Sequence, residues 1–271
     1  MKRHFSTLTA VALALLLAPV LAERATSEGE AAQAKEHYEN YSFDFSAHER
    51  PIAYTTIGNA LELVNKVKVN PAVGDRGGAY VLDELIRDKD FEVEVEFTLQ
   101  GDLDSSRGFM ILLTQEEMLE QNFLTSTLGY RQDYEGFAVF VFRHPHRENK
   151  WFVMTLQNMG SRGVLRLENQ IYSGLRNLNH CEIDMEAGKR SGVRNAYADK
   201  MIVTTVKVSD DVSYRSCSKQ GFMNKNWKQH YFAIAAKNTL NDQGEMMITD
   251  LDVDSIQIRS LRPWEMPSAE Q

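Results

Sequence analysis

Between Phe91 and Leu99 the chain reads FEVEVEFTL. Phe91, Val93, Val95, Phe97 and Leu99 fall on one side of an extended chain, and Glu92, Glu94, Glu96 and Thr98 on the other. A period of two cannot be laid on a helix, whose faces repeat every 3.6 residues, so this stretch is a strand with one buried face. The pattern recurs. YSFDF (41–45) alternates, and LELVNKVKV (61–69) places Val64, Lys66 and Lys68 on one face and Leu63, Asn65, Val67 and Val69 on the other. RGFMILLT (107–114) and GFAVFVF (136–142) are apolar on both faces, as expected of central strands, and WFVMTL (151–156) follows as another strand. KMIVTTVKV and VSYRSCS flank Ser209-Asp210-Asp211 as a hairpin, and YFAIAAK and MMITDLDVDSIQI close the set. Short helices are expected at Glu116–Gln121 and Asn224–Lys228. Many closely spaced strands with no linker imply a single all-β sandwich of about 220 residues.

The 271 residues, 43% of them hydrophobic and 25% charged, supply a full core. The first 22 read as a signal peptide: Lys2-Arg3-His4 form a positive start, Leu8–Leu17 an apolar run, and Val20 and Ala22 a cleavage site. The alternative is an uncleaved anchor, although the apolar run is short of the roughly 20 residues a span needs. Residues 23–37 form a polar lead-in, 38–262 the domain and 263–271 a short tail. Processing leaves 28 basic against 38 acidic residues, a net charge of −10, which disfavours nucleic acid and anionic membrane as partners. The mature chain carries no further span, so a soluble protein of the secretory lumen (endoplasmic reticulum or Golgi) or the cell exterior is expected. The two cysteines, Cys181 and Cys217, most simply pair in that compartment, the alternative being two free buried thiols. Pairing would contribute roughly 3–4 kcal/mol in the chain-entropy model. Asn40-Tyr41-Ser42 makes Asn40 a candidate glycan acceptor.

Two groups of residues invite a chemical reading. Glu92, Glu94 and Glu96 share a strand face at a spacing of about 7 Å. A retaining glycosidase needs two carboxylates about 5–5.5 Å apart. The strand resembles the Glu-x-Asp-x-Glu strand of a family of jelly-roll glycoside hydrolases, with Glu at the middle place. No aromatic side chain flanks the acidic face to hold a sugar, so a solvated outer face is the favoured reading. His144 and His146 supply two imidazoles where a metal site needs three or four ligands, and Arg143 and Arg147 flank them, so a polar loop is favoured there. There is no Gly-x-Ser-x-Gly elbow and no Gly-rich phosphate loop, and no catalytic residue is assigned.

The order of motifs carries more. YENYSFDF, IGNA, KVKVNPAVGDRGGAYVLDEL, FEVEVEFTLQGD, SRGFMILLT and YEGFAVFVF follow one another, then NHCEID, a second Cys after a hairpin, and HYFAIAAKNTL. From about Tyr38 to Leu261 this series resembles the luminal domain of the L-type (leguminous-type) lectins, the cargo receptors between endoplasmic reticulum and Golgi. The resemblance implies a legume-lectin jelly-roll sandwich, a Cys181–Cys217 bridge and a non-enzymatic role in binding glycoprotein cargo.

The family binds high-mannose glycans through calcium, and the resemblance implies where those ligands should fall. The calcium-binding Asp, carbonyl donor and Asn after the buried strand are represented by Phe142, His144 and His146, and the second carboxylate by Tyr172 or Ser173. The sugar-contacting His falls at Asn169, the Ser at Gly78, the Gly-Gly-Leu loop at Asn238-Thr239-Leu240, and the sugar-contacting Asp at Asp133, one place displaced. Carbohydrate contacts are therefore expected from Asp133, Asn169 and Asn238, with no metal ligand and no cofactor, because an imidazole does not replace a carboxylate on calcium. The function expected is a lectin-like binding protein with a degenerate calcium and mannose site. The alternatives are a scaffold subunit of a lumenal or extracellular complex and, more distantly, a jelly-roll glycosidase.

Overall fold

The computed structural model describes residues 42–45, 53–74, 76–123, 128–131, 133–144, 147, 150–159, 180–221, 230–240 and 243–261. The signal peptide, the lead-in, Asn40, the tail and the expected helix at Asn224–Lys228 lie outside the described residues.

Two antiparallel sheets face each other. The first, sheet A, contains β1 (Phe43–Asp44), β3 (Leu61–Glu62), β4 (Val67–Asn70), β6 (Phe91–Gln100), β11 (Arg190–Ala198), β12 (Met201–Lys207), β13 (Arg215–Gly221) and β17 (Asp250–Ser260). Their order is β13-β12-β11-β6-β17-β4-β3, with β1 also on β17. Sheet B has the order β10-β9-β8-β7-β14-β5-β2. Its strands are β2 (Tyr54–Gly58), β5 (Gly77–Leu82), β7 (Gly108–Thr114), β8 (Glu135–Arg143), β9 (Lys150–Met159), β10 (His180–Asp184) and β14 (Tyr231–Lys237). A small hairpin joins β15 (Thr239–Leu240) to β16 (Met246–Met247). The all-β sandwich expected from the alternation is the fold observed.

The inner faces meet in one core. Phe91, Val93, Val95, Phe97 and Leu99 of β6 all enter it, as their spacing requires, opposite Phe109, Ile111 and Leu113 of β7 and Phe137, Val139 and Val141 of β8. Sheet B is apolar on its other face as well. There Met110, Leu112, Ala138, Phe140, Phe142, Phe152 and Met154 are covered by Met118, Phe123, Leu128, Tyr130 and Tyr134. That second cover is the reason GFAVFVF does not alternate. The Cys181–Cys217 disulfide, with Cα atoms 5.1 Å apart, ties β10 at the edge of sheet B to β13 at the edge of sheet A, which sets aside the free-thiol alternative.

Three local expectations are corrected. LELVNKVKV is not one strand: Leu63 N–H donates to Lys66 O at 2.9 Å, the chain reverses, and β3 pairs with β4. Val67 and Val69 do enter the core, but Leu63 and Val64 are exposed in the turn. Glu116–Gln121 is not a helix, and a 3-10 turn occupies Glu120–Asn122 instead. Six residues would close too few i→i−4 bonds to form a stable helix. Met118 and Phe123 are instead laid on sheet B, and the Thr114 hydroxyl donates to the Glu116 carbonyl at 2.8 Å.

The acidic face of β6 is the third. It is not solvated. Glu92 is 2% exposed and lies 2.7 Å from Arg259 and 3.6 Å from Arg194. Glu94 pairs with Arg194 at 2.7 Å and accepts from the Tyr214 hydroxyl at 2.8 Å. Glu96 pairs with Arg190 at 2.6 Å and with Lys207. Tyr214 folds back over Gly192, where an added Cβ would stand 2.3 Å from its hydroxyl, and Arg194 lies 4.0 Å above its ring. Cross-strand register puts the cations there, with Arg194 opposite Glu94 on β11 and Arg259 opposite Glu92 on β17. Glu92 is buried, Glu94 and Glu96 are partly exposed, and all three carboxylates are engaged by cations. They form an ion-pair plate.

Candidate functional site

Sheet register gathers one set of loops at one end of the sandwich. Gly78 lies opposite Gly58, Gly77 opposite Lys237, Phe109 opposite Ala236, Phe142 opposite Gly108 and Trp151 opposite Arg143. The connections after β4, before β7, after β8 and after β14 therefore meet. Backbone bonds stitch them: Asn238 N–H to Arg76 O at 2.7 Å, Ile248 N–H to Ser105 O at 2.7 Å, and Arg143 N–H to Arg107 O at 3.2 Å. Loops held on a rigid sheet end are where binding surfaces are usually built.

Asn238 sits at the centre of this end, and its side chain is 0% exposed. Its amide nitrogen donates to Pro71 O at 3.1 Å and Val73 O at 2.6 Å, and its oxygen accepts from Asn70 Nδ2 and Thr249 N–H, each at 2.7 Å. Thr249 Oγ1 in turn accepts from Arg107 N–H at 3.2 Å and Gly108 N–H at 3.0 Å. A sugar cannot reach an amide whose donors and acceptor are all engaged beneath the surface. The structure makes Asn238 the support of the loop after β4, in place of the direct contact expected of it. Asn70 and Thr249 complete this node. Neither stood out in the sequence, because a buried amide and hydroxyl carry no periodic signal.

The turn after β8 was the expected calcium loop. Phe142 is buried, its ring 5.4 Å from that of Phe152. His144 lies over the same ring at 4.8 Å, and its N–H donates to Lys150 O at 2.7 Å. His180 completes the cluster from β10, 5.2 Å from Phe152. Arg143 turns to Asp104 at 2.9 Å, and Arg147 to Glu182 at 2.9 Å. Beside them Asp102 caps its own turn, and the Ser105 hydroxyl, then the Asp104 amide, hold its carboxyl below the usual range. Calcium wants six to eight oxygens. The described place of the carboxylate holds the phenyl ring of Phe142, which has no oxygen to give, so the residues present do not fit that ion. Among the described residues no group of three or more His, Cys, Asp or Glu side chains is placed to hold a metal. His146, Asn169, Tyr172 and Ser173 lie outside the described residues.

Gly78 marks where the resemblance puts a sugar-contacting Ser. A Cβ added there would stand 2.1 Å from Val69 O and 2.7 Å from Ala60 N, so neighbouring backbone fills the space a Ser side chain would occupy. Asp133 is separated from all of this. It lies two residues before β8, at the start of that strand, while the turn follows its end. Its carboxylate lies 3.3 Å from Arg131.

The fold and this loop end together define a legume-lectin-type sandwich. The model of the legume-like lectin family matches residues 32–258, and the chain belongs to that family. Among solved structures, the exoplasmic/lumenal domain of VIP36 with Ca2+ and Man3GlcNAc bound superposes with a TM-score of 0.67 at 15% identity, over 85% of this chain and 92% of that one. The legume lectin-like domain from Entamoeba histolytica gives 0.62 at 16% identity, over 82% and 97%. The carbohydrate recognition domain of Emp47p gives 0.61 at 14% identity, over 82% and 95%. No curated protein matches the chain by sequence.

Proposed function

We propose that the chain is a lectin-like binding module of the secretory-pathway lumen that recognises glycoprotein or protein cargo at the loop end of sheet B without the calcium and mannose chemistry of its relatives. The observation that carries this reading is the packing of Phe142 on Phe152, where the resemblance implies the calcium-binding carboxylate. The groups that remain at this end suit hydrogen bonding to a polar ligand: backbone amides, and the Arg143–Asp104 and Arg147–Glu182 pairs. The signal peptide, the disulfide and the family support a lumenal setting.

Titration calorimetry with calcium and with a mannose oligosaccharide tests the reading. Neither should give a binding isotherm, and tight binding of both would overturn it. A glycan array then separates lectin from scaffold. A hit on any glycan supports recognition of cargo through sugar. Silence supports a scaffold, a reading that the exposed Leu61, Leu63 and Val64 independently favour.

A further inference from the structure

The hydrogen bonds around Asn238 leave one acceptor and one donor over. The Asn70 side-chain nitrogen donates to Asn238 Oδ1 at 2.7 Å and to Thr249 O at 3.0 Å. This amide cannot be turned the other way round. Asn238 Oδ1 is fixed as an acceptor, because the nitrogen beside it donates to the carbonyls of Pro71 and Val73 and because Thr249 N–H donates to it. A turned Asn70 would set its oxygen against two other oxygens. Asn70 Oδ1 therefore aims away from both partners. It meets no donor among the described residues, and Asn70 is 0% exposed. Buried acceptors in folded proteins are satisfied by protein groups or by ordered water.

The spare donor lies in the same neighbourhood. Ser106 and Thr249 are both buried, and their hydroxyls share one hydrogen bond at 3.2 Å. Two hydroxyls carry two protons, and one bond between them uses one. Thr249 Oγ1 also accepts from Arg107 N–H and Gly108 N–H, so its lone pairs are occupied. One O–H is left to donate, from a residue of the same Thr249-centred group that holds the Asn70 oxygen.

We infer that this node binds a single interior water molecule, which accepts the remaining hydroxyl proton and donates to Asn70 Oδ1. Water fits because it is acceptor and donor at once, and because the node is uncharged: two amides, two hydroxyls and main-chain groups. A cation buried there would have no carboxylate to balance it. The carboxylates that follow Thr249 on β17, those of Asp250 and Asp252, are held by Lys66 and Lys68. An anion would be repelled by the Asn70 oxygen, which can only accept. Asn70 ends β4, Ser106 precedes β7 and Thr249 precedes β17, so the water ties three separate segments beneath the loop end. The site stands whether or not cargo is recognised at the surface above it.

Neutron diffraction from deuterium-exchanged crystals of the mature chain, joined to X-ray data at about 1.2 Å, is the experiment. One fully occupied water should lie about 2.8 Å from Asn70 Oδ1, with a deuteron on the line between them. Its oxygen should face the deuteron of the Ser106 or Thr249 hydroxyl. A protein donor bonded directly to Asn70 Oδ1, an Asn70 amide turned round, or no density beside the oxygen would each overturn the inference. So would a file of waters running from Asn70 to bulk solvent, or a cation ringed by about six oxygens.

Discussion

Acidification should destabilise this fold through one residue, His230. Its ring is 3% exposed and lies 5.1 Å from Phe91 and 6.3 Å from Tyr197, between the sheets. Burial disfavours the imidazolium and lowers its pKa to about 4, from 6.5 in the unfolded chain. The folded pKa is the lower one, so the unfolded state takes up the proton first. Stability is complete above pH 6.5 and falls as the pH drops towards 4. Two and a half units correspond to about 3 kcal/mol at the acid limit, of which about 2 kcal/mol is already lost at pH 5. Urea unfolding of the wild type and of His230→Phe at pH 7.5 and pH 5 measures it. The wild type should lose about 2 kcal/mol more than the variant between the two values. Asp254, whose pKa burial raises, works in the opposite direction, but it is common to both proteins and cancels in the difference. Equal losses in the two proteins would refute the assignment.

Two further outcomes follow from the packing. Reducing the Cys181–Cys217 bridge, or replacing Cys217 with Ser, reopens a loop of 36 residues and should cost about 4 kcal/mol, read as a fall in the urea midpoint. Asn238→Ala leaves Asn70, the Thr249 N–H and the carbonyls of Pro71 and Val73 without their partner, and should cost about 3 kcal/mol by the same measurement. A variant as stable as the wild type would return Asn238 to the role of a surface contact.

Much of the architecture was legible in the sequence. Strict alternation located β6, and paired-face hydrophobicity located β7 and β8, because the side-chain period of a strand is a local property. The failed helix at Glu116–Gln121 was not legible, because it depends on the sheet the segment covers, and the Leu63–Lys66 turn was hidden by an alternation that runs on through it. The acidic face of β6 shows the limit most clearly. Its three glutamates read the same whether water or Arg190, Arg194, Lys207 and Arg259 stand beyond them.

The site divides in the same way. The sequence alone showed that the end of β8 and the turn after it carry Phe142 and His146 where a carboxylate and a carboxamide were expected, since that is a matter of residue type. Only the tertiary structure decided that Asn238 is interior and that backbone fills the space beside Gly78. Residue type and period travel with the chain. Burial, register and the partner across a strand exist only after residues far apart in sequence have met.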